Sequence, residues 1–226
     1  MTKKVDFDNY TGNYNELLRE STKFFSSSES YFAAYKIELV RENTQPIVRR
    51  ILEYGCGIGR NIEYLRKAFP NVEVVGTDIS EASLAIASAE NPDVRFEIER
   101  PGLDLGQFDL IFVAGVFHHI APAKRIEVCK VLASRLATSG ALFVFEHNPF
   151  NPVTRRIVSS CPYDADAVLL KPAELGNLLA QANLTTTTQA YCLFIPPTLA
   201  KLASVEKYLS WLPLGGQYWI KANHST

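Results

Sequence analysis

From residue 46 to residue 147 the apolar positions follow two alternating rhythms. Short unbroken apolar runs predict strands covered on both faces, and apolar residues at every third or fourth position predict helices. Ile51–Tyr54 reads as a strand and Gly59–Phe69 as a helix. Val72–Thr77 reads as a strand, and Ser80–Ala89 as a helix capped by Ser80. Val94–Ile98 is a short strand and Asp109–Ala114 a nearly all-apolar one. Pro122 opens the next helix at its first position, with Ile126, Cys129, Ala133 and Leu136 at helical spacing and Ser139-Gly140 as its stop. Ala141–Phe145 is a further buried strand. Such alternation predicts parallel strands joined by right-handed crossovers, with helices on both faces of the sheet.

The flanks differ in texture. Residues 1–45 are polar and aromatic without a strand pattern, and Ser26 with Glu29 forms a capping-box signal for a helix over 29–42. Tyr31, Phe32, Tyr35 and Leu39 share one broad face of it. Asn148 to Val153 holds two Asn-Pro pairs and reads as a loop. Pro172–Ala182 reads as a helix, with Asn183 as a left-handed stop. Thr185 to Ile195 is β-rich, Pro196-Pro197 breaks it, and a helix carrying Leu199, Leu202, Leu209 and Trp211 runs to Pro213. Gln217 to Lys221 closes the chain with a strand. The expected organisation is an N-terminal helical segment over 1–45 and a core over 46–226, with insertions at about 148–170 and 196–216.

Composition narrows the classes. The 226 residues include 23 basic and 24 acidic side chains, a formal charge of −1, so no wide basic face for nucleic acid is expected. A hydrophobic content of 47% can fill a core and excludes wholesale disorder. The longest apolar run, Leu110 to Phe117, falls far short of the ~18 residues of a membrane-spanning helix. The opening residues carry no signal-peptide core, and stable membrane insertion is not expected. Cys56, Cys129, Cys161 and Cys192 form no C-x-x-C pair, so neither a disulfide framework nor a metal site is expected. A cytoplasmic protein with reduced thiols fits this usage.

The strongest chemical signal is Glu53-Tyr54-Gly55-Cys56-Gly57-Ile58-Gly59, between a predicted strand and a predicted helix. Glycines there allow a tight turn and close approach of backbone to a ligand. The spacing is G-x-G-x-G rather than the G-x-G-x-x-G of dinucleotide loops, and Glu53 would repel a pyrophosphate but suit a cationic ligand. Asp78, ending the next strand, can accept both hydroxyls of a ribose, and taken alone fits a nicotinamide dinucleotide equally well.

With Phe108-Asp109-Leu110-Ile111-Phe112 and Phe117-His118-His119-Ile120, these residues resemble the class I S-adenosylmethionine-dependent methyltransferases. Phe7-Asp8-x-Tyr10 with Tyr14 is similar to the N-terminal segment common in that superfamily. A second resemblance, over Glu146-His147-Asn148-Pro149 and on to Pro213-Leu214-Gly215-Gly216, is to a bacterial small-molecule subgroup of type 11/12 character. The resemblance implies an α/β Rossmann-like sheet of order 3-2-1-4-5-7-6 with strand 7 antiparallel and helices on both faces. It implies S-adenosyl-L-methionine as cofactor, with Glu53 facing the methionine end and Gly55, Cys56, Gly57 and Gly59 forming its cradle. Asp78 would hold the ribose, Ile79 would pack on adenine, and Val113 and Ala114 would sit beside the methionine moiety. Many relatives place a Gly-Asp pair after strand 3; here the stretch is Glu97-Ile98-Glu99-Arg100-Pro101, so Glu99 is the candidate for the adenine amine. Tyr10 and Tyr14 would close over the cofactor.

The expected reaction is methylation of a small or carrier-linked molecule, with oxygen the favoured acceptor. The candidate proton-handling groups are His118, His119, His147 and Glu146. Asp164 and Asp166 read as turn and cap residues, and Glu146 with Arg155 as an alternative ion pair. A non-catalytic S-adenosylmethionine-binding subunit, a nucleic-acid methyltransferase and a dehydrogenase are the rival readings. Oligomeric state is not legible.

Overall fold

The computed structural model describes residues 29–44, 47–196 and 205–225. Tyr10, Tyr14, Leu199 and Leu202 lie outside the described residues. The chain enters through helix α1 (Glu29–Glu42), then runs β1 (Arg50–Tyr54), α2 (Ile62–Ala68), β2 (Glu73–Asp78), α3 (Glu81–Glu90), β3 (Arg95–Ile98) and β4 (Phe108–Ala114). It continues through α4 (Arg125–Arg135), β5 (Leu136–His147), α5 (Pro152–Ser160), α6 (Pro172–Gln181), β6 (Leu184–Cys192), the single-turn α7 (Glu206–Leu209) and β7 (Gln217–His224).

The seven strands lie in the order β3-β2-β1-β4-β5-β7-β6. β1 to β5 pair in parallel, and β7 runs antiparallel to both β5 and β6. Successive residues of each central strand feed opposite cores. Ile51, Leu110, Phe112, Phe143 and Phe145 pack with Ile37 and Val40 of α1 and Ile62 and Leu65 of α2. Leu52, Ile111, Val113 and Val144 pack with Cys129 and Leu132 of α4 and Leu175 and Leu179 of α6. This two-sided coverage is why the strands read as unbroken apolar runs.

Several local expectations are corrected. Ser139-Gly140 does not stop a helix: α4 ends at Arg135, and Leu136 already pairs with Phe108 as the first residue of β5. The Gly57–Asn61 stretch is a turn, and α2 starts at Ile62. The buried stripe of α1 is Ala33, Ile37 and Val40, because the sheet accepts small and branched residues there. Tyr31, Phe32, Tyr35 and Leu39 pack at its margin. The loop expected at 148–153 holds through Asn151 and ends two residues early, where α5 starts with Pro152 in a first-turn position and Asn151 as its cap. All four cysteines are buried. Among the described residues no helix is long and apolar enough to cross a membrane.

Candidate active site

A cavity of about 730 Å³ opens at the carboxyl ends of β1, β2 and β4, where a doubly wound sheet leaves room between its crossovers. Its floor is the turn after β1. Gly55 (φ 70°) and Gly57 (φ 53°) adopt left-handed backbone, which strains any residue with a side chain. A Cβ on Gly55 would stand 2.4 Å from Val116 Cγ2, whereas one on Gly57 would meet nothing within 4 Å. Gly55 is therefore small for packing, and Gly57 leaves open space on the cavity side. Gly59 does not line the cavity; a Cβ there would press on Ala87 of α3 at 3.1 Å, so it serves helix packing.

Asp78 ends β2 and lines the cavity, with Oδ2 accepting from Gly57 N (2.8 Å) and Oδ1 from Ser80 N (3.0 Å). The carboxylate thus ties the glycine turn to the start of α3. Ile79, next in the chain, is 57% exposed on the cavity wall, an apolar surface without a partner inside the described protein. Ala114, Gly115 and Val116 form the wall after β4. Val113 does not reach it: its side chain is fully buried in the core against the α4 and α6 side, the opposite strand face from Phe112. Cys56 lines the cavity, and burial raises its thiol pKa.

Glu53 is buried beneath the floor. Its Oε1 accepts from Asn61 Nδ2 at 2.6 Å, and its Oε2 has no hydrogen-bond partner among the described residues. Burial raises its pKa to about 8, against the Asn61 hydrogen bond and the charge of Lys36. Lys36, whose own pKa burial lowers, lines the cavity together with Asn61. Neither was singled out in the sequence, though each left a trace. Lys36 interrupts the aromatic stretch of α1. Asn61 occupies the N-cap of α2, yet its side chain makes no cap and reaches Glu53 instead.

Glu99 lines the cavity, and its two oxygens accept from Arg135 at 2.8 and 2.9 Å. That bidentate pair, from a helix lying behind the wall, holds the carboxylate at the cavity edge.

The four proton-handling candidates converge on one cluster. Glu146 has no exposed surface. Its Oε1 accepts from Val116 N (2.9 Å) and Phe117 N (2.7 Å), and its Oε2 faces His118 Nδ1 at 2.6 Å. Burial alone would lower the His118 pKa, but the Glu146 charge and the hydrogen bonds to Asp164 and Glu146 raise it to about 9. Burial pushes the Glu146 carboxyl up, and the His118 charge and hydrogen bond bring it below its ordinary value. The Glu146–Arg155 pair does not form, because Arg155 is exposed on α5. His119 Nδ1 lies 3.3 Å from Asp166, and His119 Nε2 and His118 Nε2 each lie 3.5 Å from Asp164 Oδ1. Burial and then the His118 charge lower both His119 and His147 to about 4, so both rings are neutral at pH 7. Of the four, only His119 lines the cavity, beside Tyr163 and Asp166. Asp164 and Asp166 are drawn into this cluster, which their turn-like sequence context concealed.

Asn148 is buried and internal in role: Nδ2 donates to Pro213 O (3.1 Å) and Gly215 O (2.8 Å), and Oδ1 accepts from Phe150 N (3.0 Å).

Residues 52–142 match the family model described as a methyltransferase domain. Trans-aconitate 2-methyltransferase of Variovorax paradoxus is 44% identical over 61 residues, covering 27% of this chain and 24% of that protein. The chain spans about a quarter of the length of the leading curated relatives it matches. Among solved structures, a SAM-dependent methyltransferase from Archaeoglobus fulgidus superposes with TM-score 0.68 at 15% identity, over 92% of this chain and 99% of that one. Magnesium protoporphyrin IX methyltransferase of Synechocystis, with bound SAH, superposes with TM-score 0.64 at 16% identity, over 96% and 97%.

Proposed function

Residues 52–142 form a class I S-adenosylmethionine-dependent methyltransferase domain, and from that premise we propose that this chain methylates an oxygen of a small or carrier-linked molecule. The observation that carries the reading is the buried Glu53, with an unpartnered Oε2 beneath a glycine-turned floor. Burial holds that carboxyl near pKa 8, and an ammonium group beside it would draw it back to the carboxylate. A pyrophosphate would not. The remaining donors fit the same ligand. Asp78, the exposed Ile79 and Glu99 all line the cavity, which supports their roles toward a ribose diol, an adenine face and the adenine amine. Helix α1 acts as a lid over the cavity through Phe32, Ala33 and Lys36.

When bound, S-adenosylmethionine supplies a methyl group already activated by its sulfonium. The chain's own work is to align an acceptor and exclude water. The lining mixes Lys36, Arg60 and Lys124 with Asp78, Glu99, Glu127 and Asp166, and Lys124 on the rim is a point where an anionic acceptor could pair. A carboxylate oxygen needs no base. For a hydroxyl acceptor, neutral His119 is the group placed to take the proton, with Asp166 and Asp164 stabilising the imidazolium. Glu146 and His118 set the β4 loop that carries His119. No nucleic acid is the acceptor, in keeping with the formal charge of −1.

Two measurements test this. Calorimetric titration with S-adenosylhomocysteine should show Asp78→Ala binding weaker by about 1–3 kcal/mol than wild type, the range for losing a buried polar contact. Unchanged affinity in a folded variant sinks the ribose assignment. Labelled methyl transfer into a fractionated extract should place the label in polar or carrier-linked small molecules. A carboxyl-ester product would release it as volatile methanol in mild alkali. Label in nucleic acid or protein overturns the acceptor class, and cofactor binding without any transfer favours the non-catalytic reading.

A further inference from the structure

Three distant stretches of chain meet behind the cavity wall: the turn after β4, the end of β5 and the turn after α5. Each brings one metal-ligating side chain. One ligand atom from each of His118, His147 and Asp164 lies within 4.8 Å of the others. His118 Nε2 stands 3.5 Å from Asp164 Oδ1, and the His118 and His147 rings are 4.9 Å apart by centroid. Ligands at about 2.0–2.2 Å from a zinc-sized ion stand roughly 3.0–3.5 Å from one another, so the cluster is within a small contraction of that geometry.

Two further observations separate it from an ordinary polar cluster. The first is the support behind His118. Glu146 accepts only, so its 2.6 Å contact makes His118 Nδ1 the proton-bearing nitrogen. Nε2, the other nitrogen, is the one turned toward Asp164. Glu146 is in turn held by the backbone N–H groups of Val116 and Phe117. A carboxylate fixing the far nitrogen of an imidazole is the arrangement that orients histidine ligands in metal sites. The second is His147: among the described residues neither of its ring nitrogens has a hydrogen-bond partner, although the ring sits against His118 at the inner end of the cluster. His147 is half-buried and its ring nitrogens are not sealed from solvent, so a nitrogen lone pair is open to a ligand.

We propose that His118, His147 and Asp164 bind one divalent first-row transition ion of the Zn2+ class, with Glu146 as the orienter of His118. Two imidazoles and one carboxylate select such ions over Mg2+ or Ca2+, which favour all-oxygen sets. Three protein ligands leave a coordination position for water or an acceptor oxygen. The adjoining His119, Tyr163 and Asp166 line the cavity, so that position lies next to the space where an acceptor binds. The ion also fastens the turn after α5 to the carboxyl end of the sheet. Without it, the same corner is held by a protonated His118 between Glu146 and Asp164.

The test uses the full chain stripped with a chelator, then titrated with Zn2+ by calorimetry and with Co2+ by visible absorption. One ion per chain is expected, with ligand-field bands of nitrogen and oxygen donors. His147→Ala and Asp164→Asn should each weaken Zn2+ binding at least about tenfold, and Glu146→Gln by about 10–100-fold. Circular dichroism of each variant distinguishes a lost ligand from a lost fold, and Asp164→Asn preserves the shape of the side chain. No binding, binding equal in wild type and both ligand variants, or a thiolate charge-transfer band pointing to the cysteines overturns the proposal. S-adenosylhomocysteine affinity of the stripped wild type is measured alongside, so the metal site and the cofactor reading fail separately.

Discussion

Glu146 and His118 form an ion pair that is buried on both sides, with side chains 0% and 2% exposed, and each neutralises the other. An ion pair of this kind adds little net stability, but removing one partner strands a charge, at a cost of about 3–5 kcal/mol. His118→Ala is therefore expected to lower unfolding free energy by about 3–5 kcal/mol in urea titrations at pH 6. Its pH signature follows from linkage. In the metal-free protein the folded His118 pKa, about 9, exceeds its ordinary 6.5, so its contribution is complete below pH 6.5 and is lost as pH rises through about 9. The gap between wild type and His118→Ala should shrink over that window. A gap constant from pH 6 to pH 10 would show that the imidazolium does not hold Glu146. The residues themselves were legible as polar groups ending apolar strands. Their pairing was not, because sequence proximity pointed to Arg155, which the rise of α5 carries out to solvent.

At the scale of elements, α5 shows how a loop signal and a helix signal share the same letters. Asn-Pro marks a turn when read locally, yet Asn151 Oδ1 accepts from Val153 N (2.9 Å) and Thr154 N (3.1 Å), and Pro152 occupies a first-turn position whose N–H needs no partner. The helix is short and buries only Thr154 and Val158, so the Asn-Pro pairs ahead of it dominate a local reading. Asn151 Nδ2 also donates to Leu214 O at 2.6 Å, beside the contacts of Asn148 to Pro213 and Gly215. The two asparagines thus latch the segment before β7 onto the start of α5. Asn151→Ala should cost about 0.5–2 kcal/mol from the cap alone, seen as a lower melting temperature. A melting temperature equal to that of wild type would mean that the cap and latch contribute nothing. The mistaken helix stop at Ser139-Gly140 has the converse origin. Leu136 fits helical spacing, but pairing with Phe108 recruits it into β5, and tertiary contact outweighs local rhythm.

For the whole molecule, the parallel half of the sheet was legible because strands covered on both faces leave unbroken apolar runs, and helices between them leave a different period. The insertion of β7 between β5 and β6 left no such mark and came only from family resemblance, since an antiparallel strand at that place obeys no rule of alternation. The cavity was legible in its glycines and Asp78, which lie in one turn and one strand end. It was not legible in Lys36, Asn61 or Tyr163, which reach it from the helix before β1, the turn after β1 and the turn after α5. A ligand seated there touches α1, the β1 turn, the end of β2 and the β4 turn at once, so its binding free energy is shared by elements distant in sequence. Binding to the folded state alone stabilises it by about 2.7 kcal/mol at a ligand concentration one hundred times Kd. S-adenosylhomocysteine at that level should raise the melting temperature of the whole cooperative unit by several degrees, since 1 kcal/mol shifts a chain of this size by about 2–4 °C. If Asp78→Ala weakens Kd about 10–100-fold, the same concentration should leave only about 0.4–1.4 kcal/mol of that stabilisation. A thermal shift in Asp78→Ala as large as in wild type would place the ligand elsewhere, and a shift confined to one of two separate transitions would show that the cavity does not couple the two halves of the sheet.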